Sequence, residues 1–271
     1  MNYSRLAVIA LLSLAVAVPS GAQEARKKRL LAIGASKGFH HDAVSHALGT
    51  MWKLGVETGL WDTYIKTDTE LVTKQPLKSN AKNLNFFDAV FFYTSGELDM
   101  SDQQKADLMS FVKEDGKGFL GAHSANDTFY KWPEYGEMIG GYFDLHPWNR
   151  FDAPLIVEDR EFPATRHLPP AFTLYDEIYQ VKNFSRERVR VLIRLDETKI
   201  DLKQKGVHRT DGDFAVAWAR TFGNGRVIYN GLGHENAVWD NRDIQKMWIE
   251  SVKWVTKMTE GDATPRPRPA K

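Results

Sequence analysis

The run Gly118-Phe119-Leu120-Gly121-Ala122 passes without a spacer into His123-Ser124, and this junction constrains the fold more than any other stretch. Five apolar or small residues without alternation read as a strand buried on both faces, the mark of a parallel sheet. Polar residues directly at its end then fall on the carboxyl edge of that sheet, where open α/β folds bind ligands. The stretch from Gly118 to Trp148 continues with Asn126, Asp127, Phe129, Tyr130, Trp132, Tyr135, Tyr142, Phe143, His146 and Trp148. Aromatic rings dominate cores in any protein. The polar groups among them are what point to a site.

The flanking sequence supports a doubly wound sheet. Arg29–Ala35 reads as a first strand, followed by the turn-rich segment 36–42, in which Asp42 is a candidate helix cap. Val44, Ala47, Leu48, Met51 and Gly55 then recur at helical spacing. Leu60–Lys66 and Asp88–Thr94 read as further strands. Ser101-Asp102-Gln103-Gln104 is a capping box that opens a helix ended by Gly116. Strand, helix, strand, helix, strand predicts an α/β protein with a parallel central sheet.

After Trp148 the pattern changes to strands without long helices between them: Ala153–Val157, Phe172–Val181, Arg190–Leu195, Phe214–Ala219 and Arg226–Asn230. The Gly223-Asn224-Gly225 turn predicts a hairpin between the last two. A strand-rich second half thus completes the sheet. A helix over about 241–258 follows, with Ile244, Met247, Trp248, Ser251, Trp254 and Val255 on one packing face. Thr264–Lys271 (TPRPRPAK) predicts a disordered tail over 259–271.

Residues 1–22 carry Arg5, the apolar run Leu6–Val18 and small residues at Ser20 and Ala22. They read as a secretory signal peptide cleaved near Ala22, too short for a membrane span. The expectation is a mature protein in the periplasm or outside the cell, with one domain over 30–258 preceded by the short segment 23–29. With no cysteine in the chain, disulfides, thiolate metal sites and cysteine nucleophiles are all excluded. A formal net charge of +1 gives no field for nucleic acid or an anionic membrane.

Several motifs resemble the ThuA-like, or trehalose-utilisation, family. They are Gly121-Ala122-His123-Ser124-Ala125-Asn126-Asp127-Thr128-Phe129-Tyr130, Trp132-Pro133, Gly140-Gly141-Tyr142-Phe143 and His146-Pro147-Trp148, followed by Asp176-Glu177-Ile178-Tyr179, Gly225-Arg226-Val227 and Leu232-Gly233-His234. The resemblance covers about 30–257. It implies the flavodoxin-like sandwich of class I glutamine amidotransferases, in which a Gly-x-Cys-x-Gly elbow carries the nucleophile and a distant histidine activates it. Here the elbow reads Gly121-Ala122-His123-Ser124-Ala125, so His123 replaces the thiol and His234 takes the place of the activating histidine. Thiolate amidotransfer is excluded. The resemblance further implies sugar chemistry on glycosides or their 3-keto derivatives.

Five of the eight histidines fall in loops expected at one edge of the sheet, namely His40, His41, His123, His146 and His234. Neutral imidazoles with a carboxylate suit zinc, manganese or, with more oxygen ligands, magnesium. The expected ion is held by His40, His123 and His234, and the expected catalytic set is His123, His234, Glu97, Asp127 and Glu177. Ser124, Asn126, Tyr130, Trp132, Tyr142, His146 and Trp148 are expected to contact a sugar or glycoside. Two other readings stand beside this one. Ser124 with His234, oriented by Glu97 or Glu177, would make a serine hydrolase, although Ser124 is displaced by one position from a Gly-x-Ser-x-Gly elbow. The aromatic set alone would make a carbohydrate-binding protein without catalysis.

Overall fold

The computed structural model describes residues 26–268; the leader expected over 1–22 lies outside them. Nine strands form one sheet: β1 (Lys28–Ile33), β2 (Trp61–Lys66), β3 (Ala89–Phe92), β4 (Gly118–Ala122), β6 (Arg150–Val157), β7 (Ala171–Glu177), β9 (Arg190–Leu195), β10 (Ala215–Phe222) and β11 (Gly225–Asn230). A separate ribbon pairs β5 (Tyr142–Leu145) with β8 (Gln180–Lys182). The order across the large sheet is β2-β1-β3-β4-β11-β10-β9-β6-β7. The first five strands run parallel and the last four are joined antiparallel. The parallel core with a strand-rich second half is the predicted architecture.

The period of two assigns the layers. From β3, Ala89 and Phe91 pack on one face with α1 (Ala43–Thr58) and α5 (Arg242–Val255). Val90 and Phe92 pack on the other with α2 (Asp102–Lys113) and α3 (Pro133–Ile139). The tryptophans of α5, Trp248 and Trp254, are buried against the sheet, as a packing face requires. The short α4 (Asn236–Asp240) precedes α5.

Local signals performed as their chemistry dictates. Ser101 and Gln104 form the reciprocal capping box that opens α2. Phe222 pairs with Gly225, so Gly223-Asn224 is a two-residue hairpin turn, with Gly223 at φ 58. Asp42 flanks α1 but makes no side-chain cap bond. The run expected as one strand over 172–181 breaks after Glu177, and its remainder leaves the large sheet to pair with β5. That break is what presents Glu177 at a strand end.

The C-terminal segment differs from expectation. Residues 259–268 lie along the body instead of leaving it. Asp262 pairs with Arg190 (3.1 Å), Arg266 donates to the Glu158 carbonyl (2.7 Å), and Arg268 pairs with Glu197 (2.5 Å). Proline-rich composition favours an extended chain, and the strand-rich half supplies its docking partners: the Arg190 guanidinium, the Glu158 carbonyl and the buried Glu197 carboxylate. The anchor of that half is Arg186, whose guanidinium spans Glu158 (2.5 and 2.9 Å) and Asp213 (2.6 and 2.8 Å), with only 2% of the Glu158 side chain exposed. Removing one partner of a buried ion pair costs about 3–5 kcal/mol, because the remaining charge is left without compensation. We predict that Arg186→Ala lowers the unfolding free energy by about that amount in urea titration; a change within ordinary surface-substitution range would show the network to be dispensable.

Candidate metal centre

The site grows from two strand ends held side by side. β4 and β11 pair in parallel with Ala122 opposite Asn230, so the residues that follow, His123 and Gly231, emerge at the same level of the sheet. His123 turns the chain into a 3-10 turn (His123–Asn126) at φ 40, a left-handed conformation that costs a non-glycine residue about 1–2 kcal/mol. Its ring is fully buried and its backbone carbonyl accepts from the Tyr229 hydroxyl (2.8 Å). Strain of this kind persists where the surroundings over-determine it, and it clusters at functional sites.

The His123 proton position follows from its partner. Nδ1 lies 2.9 Å from the Gly231 carbonyl oxygen, which only accepts. Nδ1 therefore carries the hydrogen and Nε2 presents a lone pair. That lone pair faces His234 Nδ1 at 3.2 Å and Glu177 Oε2 at 3.6 Å, and the latter two are 3.2 Å apart. His41 closes the group: one ligand atom from each of His41, His123, Glu177 and His234 lies within 4.8 Å of the others. The His41 Nε2 meets the Tyr179 hydroxyl at 3.1 Å, and the Tyr179 ring lies on His123 with centroids 4.2 Å apart.

The loop that carries His234 is fixed independently. Gly233, at φ 122, is in a conformation that glycine alone adopts readily. Its N–H donates to Asp176 Oδ2 (2.6 Å), and its carbonyl accepts from Tyr93 and Trp239 (both 2.9 Å). Asp176 also accepts from the Glu235 N–H (3.1 Å) and is fully buried. Burial pushes its carboxyl above the usual range, against those hydrogen bonds.

The distances match a small ion. Ligands about 2.0–2.2 Å from a tetrahedral centre stand about 3.3–3.6 Å apart, close to the edges of the His123–His234–Glu177 triangle. Without a cation the same three atoms must share a proton. Burial opposes charge on both His234 and Glu177, but their mutual contact prevails, with His234 raised and Glu177 held far below its ordinary value. Burial, with His123 and His234 beside it, lowers His41 to about 3 and keeps it neutral.

A cavity of about 600 Å³ opens onto this group, its wall including Phe39, Asp127, Phe143, His146 and Arg150. The Asp127 carboxylate accepts from the Tyr130 hydroxyl at 2.5 Å, and burial raises its pKa. His146 Nδ1 stands 3.5 Å from Glu177 Oε1.

Of the residues singled out from sequence, His123, His234 and Glu177 meet in the cluster, with Asp127 and His146 on the cavity wall. The expected ligand His40 is exposed at the rim, and its neighbour His41 is the buried member. Glu97 is exposed, accepts from the Lys131 N–H (3.1 Å) and stands outside the cavity. Trp132, Tyr142 and Trp148 serve packing. Trp132 is buried against Phe129 and Tyr135, while the Tyr142 hydroxyl donates to the Trp132 carbonyl (2.6 Å). Trp148 donates to the Asp201 carbonyl (3.0 Å) and packs on Phe214. Ser124 and Asn126 are fully buried, and neither the Ser124 hydroxyl nor the Asn126 amide has a hydrogen-bond partner. Among the described residues Ser124 therefore forms no serine–histidine pair, and His234 Nδ1 faces His123 and Glu177 instead. Tyr179 and Phe39 were missed by the sequence reading. Tyr179 was visible only as part of the Asp176-Glu177-Ile178-Tyr179 motif.

The protonation pattern sets a pH profile for metal-free protein. Unfolded His41 regains its ordinary pKa of 6.5, so the unfolded chain binds more protons and stability falls as pH drops from 6.5 toward 3. Glu177 adds to that loss below its ordinary 4.5. His234, raised above 6.5, contributes stability that is present below 6.5 and lost as pH climbs through its folded value. Chelator-treated protein should therefore show maximal thermal stability from this cluster near pH 6.5, and His41→Gln should flatten the acid limb. An unchanged acid limb in that variant would contradict the burial of a neutral His41.

Comparison with known proteins places this chain in a family. Solved structures with the same fold include a protein described as ThuA-like from Bacteroides uniformis, at TM-score 0.68 and 22% identity, covering 87% of this chain and 94% of that one. A second ThuA-like protein, from Parabacteroides merdae, aligns at TM-score 0.65 and 15% identity over 89% and 98% of the two chains. A Thermoplasma acidophilum protein described as part of a GMP synthase aligns at TM-score 0.51 and 10% identity over 86% and 96%, in keeping with a glutamine amidotransferase-like fold. No curated protein matches the chain. The ThuA family model, described as trehalose utilisation, matches residues 29–255 and points to a carbohydrate-related role. With a match across most of its length, the chain belongs to the ThuA family.

Proposed function

We propose that this protein is a metal-dependent enzyme acting on a glycoside or an oxidised sugar, with the ion held by His41, His123, Glu177 and His234. The observation that carries the reading is the convergence of His123 Nε2, His234 Nδ1 and Glu177 Oε2 at 3.2–3.6 Å. Those spacings are ligand-to-ligand distances of a zinc-like centre. Three imidazoles and one carboxylate favour zinc, or manganese as the substitute, over magnesium, which prefers oxygen ligands. A divalent ion there would polarise a sugar oxygen as a Lewis acid.

The chain's own groups supply the remaining chemistry. The Gly231 carbonyl fixes the His123 tautomer, as an outer partner of a ligand imidazole does. Burial raises the pKa of Asp127, on the wall of the same cavity, against the hydrogen bond that its carboxylate accepts from the Tyr130 hydroxyl. Asp127 is suited to hold a proton and pass it to a bound sugar oxygen. Burial of the His123, Glu177 and Tyr179 side chains keeps the base of the cavity dry, which strengthens each of these electrostatic contacts.

Metal analysis tests the reading. Protein equilibrated with zinc and desalted should hold one ion per chain, lost in His123→Ala and in Glu177→Ala but retained in His40→Ala. An ion at a hundred times its Kd adds about 2.7 kcal/mol, which raises Tm by about 5–10 °C for a chain of this size. Absence of bound ion together with an unmoved Tm would leave a hydrogen-bonded cluster and end the metal reading.

We further propose that the protein works outside the cytoplasm, on the strength of the leader-like residues 1–22. Mass spectrometry of the exported protein should find a mature start near residue 23. An intact Met1 would overturn the proposal.

A further inference from the structure

The aromatic residues that the sequence offered as sugar contacts are mostly committed to packing, which leaves open what receives the apolar face of a ring at the cavity. The cavity wall answers this with Phe39, a residue 65% exposed although it lines the cavity. Its backbone is held in place. The Lys37 and Gly38 N–H groups both donate to the Ser95 carbonyl (2.8 and 3.3 Å), and the Ser95 hydroxyl donates to the Phe39 carbonyl (2.6 Å). The ring lies against His41, with centroids 4.8 Å apart and planes at 71°, and the 65% exposure of the residue leaves most of the ring open to solvent. A large apolar side chain on a pinned loop, in contact with His41 of the cluster and lining the same cavity, is a ready surface for a ligand.

The charges around it limit what the ligand is. Asp42, Asp127, Glu177 and Glu235 line the cavity, with Arg150 as the only Lys or Arg among the lining residues. Arg150 is already paired with Glu235 at 3.2 Å. With Glu177 given to the proposed ion and Asp127 to its proton, Asp42 and Glu235 remain as ionised groups of the cavity wall; such groups only accept hydrogen bonds, so they match hydroxyl donors and stand against a phosphate or carboxylate.

We propose that Phe39 is the platform for an uncharged sugar ring, whose C–H face lies on the phenyl ring while its hydroxyls reach the carboxylates of the same cavity. This rests on the carbohydrate reading above and adds to it the contacting residue and the exclusion of phosphorylated sugars. Preorganisation is part of the argument, because a platform whose backbone is already fixed loses little freedom when the ligand arrives.

Calorimetric titration of zinc-equilibrated protein with glucose, trehalose and glucose 6-phosphate tests it. At least one unphosphorylated sugar should bind, and glucose 6-phosphate should bind at least tenfold more weakly. Phe39→Ala should weaken binding of the unphosphorylated sugar at least tenfold and Phe39→Trp should keep it, with the zinc content of both variants equal to that of the parent. Binding unchanged in Phe39→Ala, equal binding of glucose 6-phosphate, or no binding of either neutral sugar would each overturn the proposal. Sugar binding that depends on Phe39 in a protein that takes up no zinc would uphold the platform while defeating the metal reading, so the two fail separately.

Discussion

The site depends on one backbone pairing. Strands β4 and β11 are far apart in sequence and adjacent in the sheet, and their register sets Ala122 against Asn230. Everything downstream inherits that level. His123 leaves one strand as Gly231 leaves the other, and the imidazole-to-carbonyl bond between them (2.9 Å) extends the ladder by one rung made from a side chain. A slip of one residue would turn His123 to the opposite face of the sheet. The alternating core residues on both faces resist such a slip more strongly than any contact within the site.

Around that pairing the protein brings in the other two ligand candidates from opposite directions. His41 arrives on the β1–α1 loop and Glu177 from the end of β7, at the far edge of the antiparallel half. Glu177 reaches the cluster because the chain leaves the large sheet after it to join the β5–β8 ribbon. The antiparallel half therefore does more than extend the sheet, since it delivers the carboxylate that joins three imidazoles in the candidate cation site. The Arg186 pairs with Glu158 and Asp213 hold that half together without contributing to the cavity.

Charge is handled differently in the two regions. In the Arg186 network each buried carboxylate meets a guanidinium, and its charge is settled within the protein. At the cluster, the ion-pair partners of Glu177 among the described residues are imidazoles, whose charge depends on protons. Low-dielectric surroundings make that arrangement costly unless a proton or a cation completes it. The cluster is thus the place where the fold leaves an electrostatic demand to be met from outside.

Much of this was legible in the sequence. Apolar runs without alternation marked the parallel strands, the Ser101–Gln104 box marked α2, and the polar residues after Ala122 marked the edge where the cluster lies. The pairing of His123 with His234 was available through family resemblance, because it depends on motifs and not on spacing along the chain. The sequence did not separate His40 from His41, since a loop has no period to say which side chain turns inward. Nor did it separate rings that pack, such as Trp132, Tyr142 and Trp148, from Phe39, which stays exposed, because burial is a property of three-dimensional neighbours. Composition marked the Pro/Arg segment as unstructured, and only tertiary structure supplied Arg190, the Glu158 carbonyl and Glu197, which dock it. Residue types and periodicities determined the layers and the edge. Which side chains converge at that edge was decided by strand register and loop closure, which act between residues more than a hundred positions apart.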